Sequence, residues 1–349
     1  MTKKSRGRLL KAGPLVAALL LIALPGIAQG PKRETLSAQR LFQDVPLRGV
    51  QRVIQKWGSY LVLEAENHRI VFLNSAMQVE RQVGNIGQGY GELYYPNDLA
   101  VDPEGYIYVR DSLNRRFQVF EWNGKEFAEF PNTPEAHGLA VTSKGEILLG
   151  QPQKDRLVSV YTRDGKLIRS FGELHKLSDF YGPELSDLDN QYKYAINRIK
   201  ISVDKEDNVY VGFIGAPVFQ KYNPAGELIF EKRMAGPQAA EIINGFRKKR
   251  QSPVRRGMDG VPTPLIVTGL TVDDATGNIY IAFQWNRAWM YVANRNGDSV
   301  TVLDSPLREL LFQNIALSED GRAILAARLS VVRTDEAYMF SLPSTLKRR

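Results

Sequence analysis

The stretch Tyr95-Pro96-Asn97-Asp98-Leu99-Ala100-Val101-Asp102-Pro103-Glu104-Gly105-Tyr106-Ile107-Tyr108-Val109-Arg110-Asp111 narrows the possible folds more than any other part of the chain. It continues through Ser112-Leu113-Asn114-Arg115-Arg116-Phe117-Gln118-Val119-Phe120 to the turn Asn123-Gly124. Short alternating apolar runs, separated by Asp-Pro-Glu-Gly, Asp-Ser-Leu-Asn and Asn-Gly, predict a small antiparallel meander. The pattern recurs along the chain, so the meander is one unit of an array, and the array sets the architecture.

Six copies are legible. Gly58-Ser59-Tyr60-Leu61-Val62-Leu63 leads to Asn67-His68-Arg69-Ile70, Gly105-Tyr106-Ile107-Tyr108-Val109 to Asn114-Arg115-Arg116-Phe117, and Gly145-Glu146-Ile147-Leu148-Leu149 to Lys154-Asp155-Arg156-Leu157. The spacing from turn glycine to arginine is the same in all three. Ile199–Tyr222, Gly269–Val292 and Asn314–Phe340 keep the strand pattern but lose most of the motif.

The pattern Pro-x-x-Leu-Ala-Val-Asp-x-x-Gly-x-Ile-Tyr-Val-x-Asp-x-x-Asn-x-Arg-Phe-x-Val-Phe resembles the NHL repeat, and Asn67-His68-Arg69-Ile70 matches its namesake segment. The resemblance implies an all-β fold, a six-bladed β-propeller of four-stranded antiparallel blades. It says little about activity, because propellers host unrelated functions. Anchoring each first strand on Ile54, Val101, Val141, Val203, Val272 and Leu317 leaves two insertions, about 173–197 and 235–264. The expected organisation is a signal peptide at 1–28, an N-terminal segment at 29–45, the propeller at 46–343 and a basic tail at 344–349. The last blade lacks a C-terminal fourth strand, and Leu36 to Phe42 is the expected substitute.

Lys3, Lys4, Arg6, Arg8 and Lys11 precede an apolar run from Leu15 to Leu24 and then Pro25-Gly26-Ile27-Ala28. This is the pattern of a secretory signal peptide cleaved after Ala28. The alternative is an uncleaved anchor, the one route by which a membrane contact is expected. The chain has no cysteine, which excludes disulfides, thiolate metal sites and cysteine lipidation. A periplasmic or secreted monomer is the expectation. Cleavage would remove five positive charges and no acidic residue, taking the net charge from +8 to +3. Part of that excess lies in Arg247, Lys248, Lys249, Arg250, Arg255 and Arg256, and part in the tail. Such a patch is either a solvated loop or a surface for an anionic envelope polymer. Nucleic acid is not an expected partner for an exported chain.

In a propeller the innermost strands line a central channel. Register places Val50, Asn97, His137, Ile199, Thr268 and Gln313 at its mouth, with Asp98, Asn197 and Asn314 beside them. Peptidyl-hydroxyglycine lyases resemble this chain in their repeats but carry His-x-Leu in several blades, as zinc needs about three protein ligands. Here only His137-Gly138-Leu139 fits, and that activity is not expected. Gluconolactonase-like hydrolases need a hard-oxygen cluster for calcium. Asn97, Asp98, Asn197 and Asn314 would supply part of one, with His137 as general base. The same residues read equally as polar turn and channel groups. Asp111-x-x-Asn114-x-Arg116 reads as a turn clamp, and His68 as part of the consensus turn. The aromatic insertion Phe180-Tyr181 to Tyr192-Lys193-Tyr194 reads either as a ligand anchor or as a cap on one face. No nucleophile elbow, phosphate loop or dinucleotide fingerprint is present. The expectation is a binding module for a protein, small-molecule or polymer ligand of the cell envelope, working without a cofactor. The alternative is a calcium-dependent lactonase.

Overall fold

A computed structural model describes residues 32–131, 136–234, 237–251, 265–285, 288–307, 311–329 and 336–347. The proposed signal segment at 1–28 lies outside them. Six antiparallel sheets follow one another in chain order. Their innermost strands are Val50–Lys56, Pro96–Val101, His137–Val141, Ile199–Val203, Val267–Val272 and Leu311–Leu317. Each packs beside the next and the sixth packs beside the first, so the ring closes as a six-bladed β-propeller.

The apolar pattern explains the ring. Successive side chains of a strand point to opposite faces. In Ser59–Glu64, Leu61 and Leu63 pack with Leu99, Ile107 and Val109 of the second blade. Tyr60 and Val62 pack with Leu325 and Ala327 of the sixth. A middle strand buried on both faces must therefore be apolar throughout. Outermost strands such as Val79–Val83 are mostly exposed and polar.

Residues before the first blade complete the last two. Lys32–Thr35 runs parallel to Ser299–Asp304 as a fifth strand of the fifth blade. Ser37–Leu41 pairs antiparallel with Ala337–Ser341 as the fourth strand of the sixth. Leu36, between them, is buried at the junction of the two blades.

Turn chemistry sets the blade ends. Gly58, Gly105 and Gly145 have φ of 73°, 93° and 75°, where a side chain would strain the backbone. At the opposite ends, Asp111 accepts from Asn114 Nδ2 (2.7 Å), Arg116 Nε (3.0 Å) and the Tyr94 backbone N–H (2.6 Å). Glu64, Asn67 and Arg69 repeat the clamp one blade earlier. These residues hold the scaffold. His68 does so as well, its Nδ1 accepting from the Tyr95 backbone N–H at 2.9 Å.

The first insertion forms α1 (Leu177–Tyr181), a 3-10 turn (Pro183–Leu188) and α2 (Asp189–Ile196). The second contributes α3 (Pro237–Gln251). Phe180, Tyr181, Tyr192 and Phe246 are buried together against the third and fourth blades. Tyr181 donates from its hydroxyl to the Gly215 carbonyl at 2.5 Å. Of the two readings of this loop the cap holds: its aromatics are core, and Tyr194 alone among those named is exposed. Both insertions immediately precede an innermost strand, so the cap sits at the end of the ring where those strands begin.

Candidate functional site

The mouth is built by six equivalent residues, one per innermost strand. Strand pairing makes Arg52, Asp98, Gly138, Lys200, Gly269 and Asn314 equivalent. The sequence anchor in the first blade is off by one. Val50 aligns with Pro96, so Gln51, not Val50, is the counterpart of Asn97. A slip of one residue exchanges the faces of a strand, and it hid Arg52. Val50 itself is fully buried between blades.

Arg52 Nη1 donates to Asp98 Oδ1 at 2.8 Å, joining the first two blades. Lys200 Nζ donates to Asn314 Oδ1 at 2.5 Å, a bond from the fourth blade to the sixth that skips Gly269 of the fifth. Asn314 Nδ2 donates to the Gln51 carbonyl at 3.0 Å, and Gln313 Nε2 to Gln51 Oε1 at 3.4 Å. This polar layer links the fourth, sixth, first and second blades around the mouth. Below it lies a cavity of about 420 Å³ lined by all six blades, with Leu139, Ile201 and Leu270 among its apolar residues and Lys56, Asp274 and Glu319 among its charged ones.

Three more polar residues converge on the layer. Arg110 projects from the second strand of its blade, opposite Asp98. Arg198 immediately precedes the fourth innermost strand, and His137 opens the third. Burial first, then Arg198, Arg110 and Lys200, pushes the His137 pKa down to about 3. His137 is therefore neutral at physiological pH and a weak proton acceptor. Burial also lowers Lys200 to about 8; Asp98 opposes this, while Arg52, Arg110 and Arg198 reinforce it. Arg110 and Arg198 are lowered by burial too. The Nε atoms of Arg52 and Arg198 and the Oδ1 of Asn97 are buried without a hydrogen-bond partner.

The structure thus brings Asp98, His137, Gln313 and Asn314 together, with Asn97 beside them. Thr268 is buried and donates back to the Ala282 carbonyl at 3.4 Å, a contact within its own blade. Asn197 is also buried, clamping the end of α2: it accepts from the His175 N–H (2.9 Å) and donates to the His175 and Lys193 carbonyls (2.8 and 2.7 Å). These bonds tie Asn197 to the cap rather than to the mouth. Arg52, Arg110, Arg198 and Lys200 were missed. Their signal was present: Arg198 takes a place that is Val50, Pro96, Ala136, Val267 or Phe312 in the other blades.

Of the basic patch, the structure describes the side chains of Arg247 and Lys248. Arg247 is tied within the cap, its Nε donating to Glu184 Oε1 at 2.6 Å. Lys248 is exposed on α3. Lys249 and Arg250 belong to α3, but their side chains, like all of Arg255 and Arg256, lie outside the described residues.

Gly150 lets the His137 backbone pack closely against its partner strand. A Cβ there would overlap the His137 carbonyl oxygen and press on Ile199 Cγ1 at 2.6 Å. Gly150→Ala is expected to cost about 1–3 kcal/mol, the range for overpacking a filled site. Chemical denaturation checks this, and an unchanged midpoint would contradict the pairing of His137 with Gly150.

Ring and mouth together define a six-bladed β-propeller with a polar, cation-rich channel mouth. No protein-family profile matches the chain. Among curated proteins, Protein brain tumor of Drosophila melanogaster is 26% identical over 116 residues, covering 32% of this chain and 11% of that protein. Among solved structures, virginiamycin B lyase from Staphylococcus aureus superposes with a TM-score of 0.55 at 11% identity, over 88% of this chain and 100% of that one. A Bacteroides fragilis protein named as an exported one gives 0.58 at 11%, over 90% and 99%. A gluconolactonase from Xanthomonas campestris gives 0.53 at 11%, over 88% and 90%. Likeness at this identity establishes the fold alone.

Proposed function

We propose that this chain is an exported, NHL-type propeller acting as a non-catalytic binding module of the cell envelope, with the channel mouth and its helical cap as the working face. One observation carries the reading: Arg52, Arg110, Arg198 and Lys200, from three blades, converge on a layer whose counter-charge is Asp98, already bonded to Arg52. A calcium centre needs several anionic or carbonyl oxygens, and neighbouring cations repel a second one. His137, held near pKa 3, is mismatched to general-base work at neutral pH. Among the described residues no group of three or more His, Cys, Asp and Glu is placed to hold a metal. Export is supported by the basic and apolar pattern of residues 3–28. The partner is a protein, small-molecule or polymer ligand, bound by a monomer.

The test is metal analysis of residues 29–349, prepared without chelator, together with a lactone and ester screen. The expected outcome is less than stoichiometric calcium, no turnover, and a melting temperature shifted by less than about 1 °C by EDTA or added calcium, since a ligand of the native state must raise it. One calcium per chain, lost in Asp98→Asn, would establish the hydrolase instead.

A further inference from the structure

We propose that the channel mouth is a receptor for a single anionic head group, a carboxylate or a phosphate, gripped by Arg198 and Lys200 and aligned by Arg52. The proposal rests on the binding-module reading and names what that module takes.

Comparison among the blades shows that the propeller does not need these charges. At the position of Lys200 the other blades carry Arg52, Asp98, Gly138, Gly269 and Asn314, so the strand accepts glycine or a neutral amide there. At the position of Arg198 they carry only apolar residues or proline. Like charges brought together away from bulk water repel strongly. A buried guanidinium Nε with no acceptor is a further cost. Both Arg198 and Arg52 bear that cost. The chain nevertheless carries Arg198 here, directly after Asn197, whose side chain is anchored by three hydrogen bonds to His175 and Lys193.

A bound anion would offset the first of these costs, the repulsion among the cations. Guanidinium groups offer paired donors that match carboxylate and phosphate oxygens. Lys200 already reaches past the fifth blade to Asn314, so its ammonium lies within the mouth rather than on its own blade. Arg52 lines the channel cavity, and Arg52, Arg198 and Lys200 are each only partly buried as whole residues. His137 adds a neutral ring that donates from one nitrogen and accepts at the other.

The charged groups acting on Lys200 come from three strands and one loop: Asp98, Arg52, Arg110 and Arg198. Its ammonium loses its proton in the mildly alkaline range, so an anion should bind with proton uptake near pH 8 and bind less well above it.

Calorimetric titration of residues 29–349 with inorganic phosphate, and separately with succinate, at an ionic strength held constant with sodium chloride, tests this. The expected result is saturable 1:1 binding of one of the two anions. Affinity should fall at least tenfold in Lys200→Met and in Arg198→Gln, and several-fold between pH 7 and pH 9.5. It should be unchanged in Lys205→Gln, an exposed lysine paired with Glu206 away from the mouth. The preferred anion identifies the head group. Lys200→Met removes a crowded charge and should melt no lower than the parent chain, so its loss of binding does not reflect unfolding. No saturable binding of either anion, or binding undiminished in both variants, overturns the proposal. Either result leaves the binding-module reading standing, because that reading falls only to turnover or stoichiometric calcium.

Discussion

A chain beginning at residue 43 loses cooperative folding, while one beginning at residue 29 melts like the full chain. The segment removed in the first case supplies the fourth strand of the sixth blade and the fifth strand of the fifth. It buries Leu36, Leu41 and Phe42 to 4%, 3% and 6% exposure. Each such side chain contributes about 1.5–3 kcal/mol. Their sum rivals the ~5–15 kcal/mol that holds a typical domain together. Loss of Ser37–Leu41 also bares the backbone edge of Ala337–Ser341, beside Tyr338 and Phe340. An open edge of that kind invites association between copies. Arg33 goes too, with its bonds to Asp304 at 3.2 and 2.5 Å. Circular dichroism melts with size-exclusion chromatography check the pair of truncations. If the shorter chain melts within a few degrees of the longer one, the N-terminal strands do not close the ring.

That closing strand was legible because blades are counted: five complete meanders and a sixth with three strands leave one strand to be found upstream. Period-two apolar runs and turn glycines made the blades visible, since every middle strand must be apolar on both faces. The partition of those faces between neighbouring blades was implicit in the same alternation. The mouth was harder. Asp98, His137 and Asn314 were found by register, but register alone does not separate a channel residue from one such as Thr268 that turns back onto its own sheet. In the first blade the place of Val101 is taken by the polar Gln55, so a search for an apolar anchor stops one residue early, at Ile54. Choosing Ile54 put Val50 at the mouth and lost Arg52. Arg110 lies on a second strand, which a search confined to first strands passes over. Arg198 follows an insertion, where the repeat alignment restarts. The helical cap was readable as an insertion, but not the fate of its aromatics, because burial against the third and fourth blades depends on how the helices fold back.

The second large effect lies in the mouth itself. Asp98→Asn should destabilise the propeller by about 3–5 kcal/mol, the cost of stripping a buried charge of its partner. Asp98 is 5% exposed and its carboxylate is the bonded counter-charge to Arg52. Lys200→Met should act in the opposite sense at pH 7, since it removes an ammonium that the folded state holds at a disadvantage. The sign follows from linkage. Lys200 titrates near 8 in the folded chain against 10.5 for an ordinary lysine. Below pH 8 both states carry the proton, and the folded state bears the whole penalty. Between 8 and 10.5 the unfolded chain binds more protons, so this group makes stability rise with pH. Lys200→Met should lack that contribution, and the double variant with Asp98→Asn should recover part of what Asp98→Asn alone loses. Urea denaturation of the four chains at pH 7 and pH 9.5 separates these terms. Equal pH dependence with and without Lys200, or single effects that simply add, would mean that Asp98 and Lys200 do not share one electrostatic layer. Saturating anion at the mouth should flatten the same alkaline rise, because an anion that keeps Lys200 protonated supplies the negative charge the six blades leave out.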